Sequence, residues 1–211
     1  MGTTQIFAAM SLAYESFYKD RTYKVVQLAP CTITDPAMYK GFNMASVAAI
    51  KALDIFEIAG PNWYKTVVKL RKTLGIEALQ QILLGGWGST LKEISLKSFL
   101  HYAQNAKENR FQRYSDNYWI PLGKKKTDLY DLSLIDSTPF GFFFGDKDTE
   151  CPNTVTQQTK DQMGDMVQAY HIYPGLDHGS MIAYNTDEYV QHILDFLKPT
   201  ANDAPLSLML Q

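Results

Sequence analysis

The chain has 211 residues, of which 45% are apolar, and a formal net charge of −2. A chain of this length buries roughly 70% of its unfolded surface, which suits one domain with a substantial insertion. The small net charge, without a basic or acidic block, gives no reason to expect a nucleic acid partner. No apolar stretch approaches the ~20 residues of a membrane-spanning helix, so no transmembrane segment is predicted.

The first predicted elements are a buried helix and a short strand. The helix covers residues 2 to about 17. Its apolar residues are spaced so that one face of the helix is apolar, and that face consists of Ile6, Phe7, Met10 and Tyr14. Residues 23–29 are rich in β-branched side chains and stop at Pro30, which is typical of a buried parallel strand. Without a further strand upstream, residues 25–29 would present an unpaired apolar edge.

Residues 36–126 are predicted to form an all-helical insertion that serves as a cap. Helical patterns cover residues 38–58, 63–74, 76–84 and 93–108, with glycine- or proline-containing breakers between them. Two interpretations stay open for a group of aromatic residues in this region, a lipid-facing surface or an ordinary helix core. The group consists of Trp63, Tyr64, Trp87 and Trp119.

Strands and helices alternate again after the insertion. Residues 139–145 and 167–173 are predicted strands, and residues 153–163 are a predicted helix. A final helix begins at the capping residue Thr186 and ends before Pro199, and residues 200–211 form a tail. This alternation predicts an α/β fold with about three parallel strands, whose core is residues 1–35 and 127–199.

The two cysteines, Cys31 and Cys151, form neither a disulfide framework nor a zinc-binding spacing. The sequence leaves open whether they pair, and it leaves the redox compartment undetermined. No metal or cofactor is predicted. The first residues lack the basic region of a signal peptide, an observation without meaning if the sequence is truncated.

Two polar residues follow successive predicted strands. Asp148 comes after the strand at 139–145, and His178 comes after the strand at 167–173. Functional groups of α/β folds gather where parallel strands end. An aspartate that accepts from one imidazole nitrogen leaves the other free to take a proton from a nucleophile. We therefore predict an acid–base pair, although each residue alone would suit an ordinary loop.

The other histidines are predicted to be structural. His101 is expected to be a hydrogen-bonding residue that holds the cap to the core. His171 and His192 lie in a strand and a helix without an evident partner, and Asp177 is expected to shape the loop before His178.

Several short motifs occur along the chain in the same order as in one enzyme family. They are Gly2-Thr3-Thr4, Gln27-Leu28-Ala29-Pro30, His101-Tyr102-Ala103-Gln104, Phe111-Gln112-Arg113-Tyr114, Tyr130-Asp131-Leu132 and Thr138-Pro139. With them the chain resembles the acid lipases, the gastric and lysosomal triacylglycerol and cholesteryl ester lipases. The family's nucleophile elbow reads Gly-His-Ser-Gln-Gly-Thr-Thr, and Gly2-Thr3-Thr4 is similar to its end.

The resemblance implies a partial α/β-hydrolase fold with a helical cap. Asp148 would be the catalytic acid and His178 the base, with the nucleophilic serine expected immediately before Met1. The backbone of Met1 would supply one oxyanion-hole amide. Asp146, which replaces a family glycine, is the alternative acid. The segment that follows His178 matches the family by position more than by letters.

The activity that the resemblance implies is that of a serine carboxylester hydrolase, acting on triacylglycerol or sterol esters at a lipid–water interface. A full-length member would be secreted or lysosomal and would need no cofactor. The 211 residues alone, lacking the serine, are expected to be inactive. One alternative is a short non-catalytic protein that binds lipid or a partner. Another is a different α/β-hydrolase activity, which the motifs at 99–104 and 111–114 disfavour.

Overall fold

The structure, a computed structural model, describes residues 2–39, 96–118, 126–183 and 186–199. The chain divides into two compact units, Met1–Thr32 with Tyr130–Gln211, and Ile33–Leu129. The predicted helices at 63–74 and 76–84, most of the one at 38–58, the aromatic group of the cap and the tail lie outside the described residues. Among the helices that are described, none combines the length and apolar character needed to cross a membrane.

The first unit is built on a small parallel sheet. Its strands are β1 (Val25–Leu28), β2 (Phe140–Gly145) and β3 (Val167–Tyr173), in the order β1-β2-β3. Both neighbouring pairs run parallel. The predicted α/β class and small parallel sheet are therefore confirmed, while the finer assignment to a hydrolase fold stays a prediction.

Five α-helices are described. They are α1 (Gly2–Ala13), α2 (Leu96–Glu108), α3 (Asn153–Met163), α4 (Ser180–Ala183) and α5 (Asp187–Leu197). Helix α5 begins as its sequence predicts, because Thr186 Oγ1 accepts a hydrogen bond from the amide of Tyr189 at 3.3 Å.

Helices cover both faces of the central strand. Every residue of β2 is buried, which explains its unbroken apolar sequence. On one face, Phe7 of α1 stacks on Phe140 with ring centroids 5.7 Å apart. On the other, Phe196 of α5 meets the edge of Phe143 at 6.4 Å. Because side chains alternate along a strand, α1 and α5 lie on opposite sides of the sheet.

Helix α1 buries most of its predicted face. Phe7 and Met10 are fully buried and Tyr14 nearly so, whereas Ile6 is half-buried. The predicted helix continued to about residue 17, but the α-helix ends at Ala13 and a π-helical turn follows over Tyr14–Tyr18.

In the second unit, polar residues hold an extended segment beside α2. His101 Nε2 lies 2.6 Å from the carbonyl oxygen of Gln112. Gln104 donates to the carbonyl of Arg113 at 2.9 Å and accepts from the amide of Ser115 at 3.0 Å. His101 is therefore a hydrogen-bonding residue within this unit, and burial lowers its pKa.

Candidate active site

The loops that follow β2 and β3 touch each other closely. The amide of Asp146 donates a hydrogen bond to the carbonyl oxygen of Tyr173 at 3.1 Å, and the amide of Lys147 donates one to the carbonyl oxygen of Leu176 at 2.9 Å. Gly145 makes this approach possible, because a Cβ built on it would lie 2.0 Å from the Leu176 carbonyl oxygen. The missing side chain thus lets the loop of β3 lie against the end of β2.

Asp148 lies in the turn after β2, and its side chain is only 1% exposed. Its Oδ1 atom accepts hydrogen bonds from the amides of Glu150 at 3.0 Å and Cys151 at 2.8 Å. Aspartate often forms turns of this kind, in which its side chain accepts hydrogen bonds from backbone amides two or three residues later. The turn fixes the carboxylate and leaves Oδ2 directed at the neighbouring loop.

His178 completes the pair across the two loops. Its Nδ1 atom lies 2.7 Å from Asp148 Oδ2. A carboxylate at Nδ1 favours the tautomer that carries its proton there, so the neutral ring keeps a lone pair on Nε2. The imidazole side chain is 26% exposed. It can therefore accept a proton from a group that approaches Nε2.

The electrostatic surroundings raise the pKa of His178 above its ordinary value of 6.5. The hydrogen bond to Asp148 is the largest cause, and burial of the ring opposes it. The carboxylate of Glu150 adds to the rise, with Oε2 3.7 Å from Nε2. Among the described residues, no hydroxyl is hydrogen-bonded to either nitrogen of His178.

The other carboxylates of these loops have different partners. Asp146 Oδ1 accepts from the amide of Gly175 at 2.6 Å, so the structure brings Asp148, and not Asp146, to His178. Asp177 Oδ1 accepts from the amide and hydroxyl of Ser180 at 2.7 and 2.6 Å. Asp177 therefore closes the turn that leads into α4, which agrees with its expected role in shaping the loop.

A disulfide lies beside the pair and answers a question that the sequence left open. Cys31 and Cys151 are bonded, with their Cα atoms 5.3 Å apart. Cys31 follows β1, and Cys151 belongs to the turn of Asp148. Like the acid and the base, both cysteines follow the carboxyl ends of strands, and that position is the signal that could have paired them.

The start of α1 approaches the same region. Thr4, in the first turn of α1, donates to the carbonyl of Cys31 at 2.6 Å. Cys151, the disulfide partner of Cys31, donates in turn to Asp148. The predicted oxyanion position, Met1, lies outside the described residues.

The same residues include potential metal ligands. Asp148, Cys151 and His178 each contribute one ligand atom, and these three atoms lie within 4.8 Å of one another. The sulfur of Cys151 is bonded to Cys31.

Comparison with protein-family models, with curated proteins and with solved structures found no match for this chain. A buried carboxylate orients an imidazole whose second nitrogen can take up and return a proton.

Proposed function

We propose that this chain carries the acid and base of a serine carboxylester hydrolase of the acid lipase type. The substrate would be a triacylglycerol or sterol ester presented at a lipid–water interface. The observation that carries the proposal is the 2.7 Å contact between His178 Nδ1 and Asp148 Oδ2, at the ends of adjacent parallel strands. An acid after one strand and a histidine after the next follows the chain order of α/β-hydrolases.

In the proposed reaction, a serine outside these 211 residues attacks the ester carbonyl. His178 accepts the hydroxyl proton at Nε2 and then returns it to the departing alcohol. Water hydrolyses the acyl-enzyme by the same route. Asp148 holds the ring in the required tautomer and stabilises the imidazolium, and its own position is fixed by two backbone amides.

The surroundings of α1 support a nucleophile at its start. In α/β-hydrolases the serine lies on a sharp turn between a strand and a helix. Thr4 in the first turn of α1 bonds to Cys31, and the disulfide joins Cys31 to the turn that holds Asp148. We propose that the residue preceding Met1 approaches His178 Nε2, and that the Met1 amide contributes to the oxyanion hole.

The first test uses the 211 residues by themselves. Loss of a triad serine costs on the order of 10⁶ in turnover, so we expect no measurable hydrolysis of p-nitrophenyl esters and no labelling by a fluorophosphonate. Ester turnover by the purified chain that disappears in His178→Ala would contradict the missing-serine proposal.

The second test examines the coding sequence upstream of Met1, which we expect to encode, in frame, an apolar strand ending in Gly-x-Ser. In the longer protein, Asp148→Asn should lower kcat by about 10⁴, because the imidazole loses its oriented tautomer. Asp146→Asn is the matched control and should cost less than about tenfold, since Asp146 bonds to Gly175. Equal losses in the two variants would refute the assignment of the acid.

One observation favours the non-catalytic alternative. The carboxylate of Glu150 lies 3.7 Å from His178 Nε2, so the protonated ring can form a structural ion pair on both sides. A stop codon immediately upstream of Met1, together with lipid binding but no turnover, would support that alternative. Peptide or thioester turnover without lipid ester turnover would instead indicate another α/β-hydrolase activity.

A further inference from the structure

The disulfide and the Asp148–His178 pair bring four potential metal ligands to one end of the sheet. Ligand atoms of Asp148, Cys151 and His178 lie within 4.8 Å of one another, and Cys31 is covalently bonded to Cys151. These residues come from three separate segments, after β1, β2 and β3. No local spacing in the sequence could reveal them as a group.

Two thiolates, an imidazole and a carboxylate are ligand types that zinc prefers. Zinc takes four ligands in tetrahedral arrangement, about 2.3 Å from sulfur and about 2.0 Å from nitrogen or oxygen. In the disulfide neither sulfur is a thiolate, and only the thiolate is a good metal ligand. The ligand set is therefore complete only when the disulfide is reduced.

We propose that reduction of the Cys31–Cys151 disulfide creates a zinc site formed by Cys31, Cys151, His178 and Asp148. A small dithiol supplies the two electrons: it becomes a disulfide while the two cysteines become thiols. Zinc then binds both sulfurs as thiolates and replaces the hydrogen bond between His178 Nδ1 and Asp148 Oδ2. The two thiol protons pass to solvent, and the imidazole proton moves from Nδ1 to Nε2.

The surroundings of the four residues suit such a site. Both cysteines are buried, at 4% and 3% exposure, which keeps bulk water from the sulfurs. Asp148 is oriented by two backbone amides, and the backbone of Cys31 is held by Thr4, which is the kind of support that fixes metal ligands. The partly exposed His178 ring gives the ion a path of entry.

Zinc at this position would take His178 out of acid–base chemistry, because its ring cannot both hold the metal and accept a proton. Reduction in the presence of zinc would then prevent the Asp148–His178 pair from transferring protons, and reoxidation would restore that ability. The metal site does not depend on the proposed esterase activity, since zinc binding is measured directly.

The test measures metal binding to the 211-residue chain in its oxidised and reduced forms. Zinc is titrated against a competing chromophoric chelator without oxygen, and cobalt is used as a probe for tetrahedral sulfur ligation. We expect the reduced chain to bind one zinc ion and to give the intense cobalt–thiolate absorption. The oxidised chain should bind none, and equal binding by both forms would overturn the proposal.

Variants distinguish zinc binding at this folded site from zinc binding by an unfolded chain. In the reduced protein, Cys151→Ser and His178→Ala should each weaken zinc binding by more than about tenfold. His192→Ala is the matched control, because it removes a histidine of the same unit outside the ligand group, and it should leave affinity unchanged. If reduction unfolds the chain, circular dichroism should show zinc restoring structure. Equal weakening by His178→Ala and His192→Ala would overturn the proposal.

Discussion

Asp148 uses its two carboxylate oxygens for different tasks. In the disulfide-bonded protein, Oδ1 accepts hydrogen bonds from the amides of Glu150 and Cys151, while Oδ2 contacts Nδ1 of His178. Because the backbone turn holds the carboxylate, the imidazole does not have to order it. A positioned acceptor of this kind orients a histidine without itself being protonated.

We predict that Asp148→Asn lowers the pKa of His178, because the hydrogen bond to Asp148 is the largest cause of its rise. Glu150→Gln should lower it less, since that carboxylate acts only through its charge at 3.7 Å. An NMR titration of the His178 ring protons measures both effects. A larger decrease in Glu150→Gln than in Asp148→Asn would contradict this ranking.

The raised pKa also determines how His178 contributes to stability. The folded state holds the proton more tightly than the unfolded state, whose pKa is about 6.5. The contribution is therefore fully present below about pH 6.5, and it is lost as the pH rises through the higher folded pKa.

Residue types and strand order were enough to bring Asp148 and His178 together from sequence, because parallel strands end at one edge of the sheet. The sequence did not indicate that Glu150 lies near His178, because this contact depends on a turn geometry that the local sequence does not define. The positions of Cys31 and Cys151 after predicted strands made their pairing conceivable, but the sequence did not show that β1 lies next to β2, which the pairing also requires.

At the level of secondary structure, the end of β2 lies so close to the loop after β3 that position 145 has no room for a side chain. We predict that Gly145→Ala destabilises the fold by about 1–3 kcal/mol, because the new Cβ would meet the Leu176 carbonyl at 2.0 Å. Denaturant unfolding measures the loss, and the NMR signal of His178 should shift as its loop is displaced.

Gly179→Ala is the control for this substitution, since a Cβ there would lie 3.7 Å from Asp177 Oδ1, an ordinary contact. It should change the free energy of unfolding by less than about 0.5 kcal/mol. Equal destabilisation by the two variants would show that the close approach at Gly145 is not the cause.

Helix α5 is joined to β3 by two stacked histidines, a contact that neither sequence context indicated. The rings of His171 and His192 are 4.1 Å apart, and His192 Nδ1 lies 3.1 Å from the Tyr173 hydroxyl. The expectation that these histidines have no partner was wrong. Burial and the neighbouring His192 lower the pKa of His171 below 6.5, while Glu188 opposes the shift.

This lowered pKa predicts a loss of stability in acid. The unfolded state binds the proton of His171 more readily, so stability falls as the pH drops from about 6.5 through the folded pKa. His192→Gln should raise the pKa of His171 by removing the repulsion, and NMR titration measures the change. The ring of His101 serves as the internal reference, and an unchanged His171 pKa would contradict the prediction.

The strands and the capped helix α5 were predictable because their patterns are local. The π-helical turn after α1 was not. There, the Tyr14 hydroxyl lies 2.9 Å from Ser137 Oγ and 2.8 Å from Thr138 Oγ1, partners more than 120 residues away. Such tertiary contacts leave no periodic signal in the sequence around Tyr14.

For the molecule as a whole, β1 is the edge of the described sheet. Leu28 is 40% exposed there, and the amide nitrogen of the buried Gln27 side chain has no hydrogen-bond partner among the described residues. An apolar edge strand of this kind favours association. This agrees with the unpaired edge expected from sequence for residues 25–29.

The Cys31–Cys151 disulfide is predicted to stabilise the first unit strongly. It closes a loop with a sequence separation of 120 residues, which by chain entropy is worth up to about 5 kcal/mol. Cys31→Ser should therefore lower the free energy of unfolding by several kcal/mol, as measured in denaturant without reductant. Ser16→Ala, at an exposed position, should have no such effect.

The covalent path of the chain has one more consequence. Cys31 and Cys151 flank the whole of the second unit, Ile33–Leu129. A protease that cuts once anywhere in that unit would therefore produce two polypeptides still joined through sulfur. On an electrophoresis gel the nicked protein would run as one species without reductant and as two fragments with it.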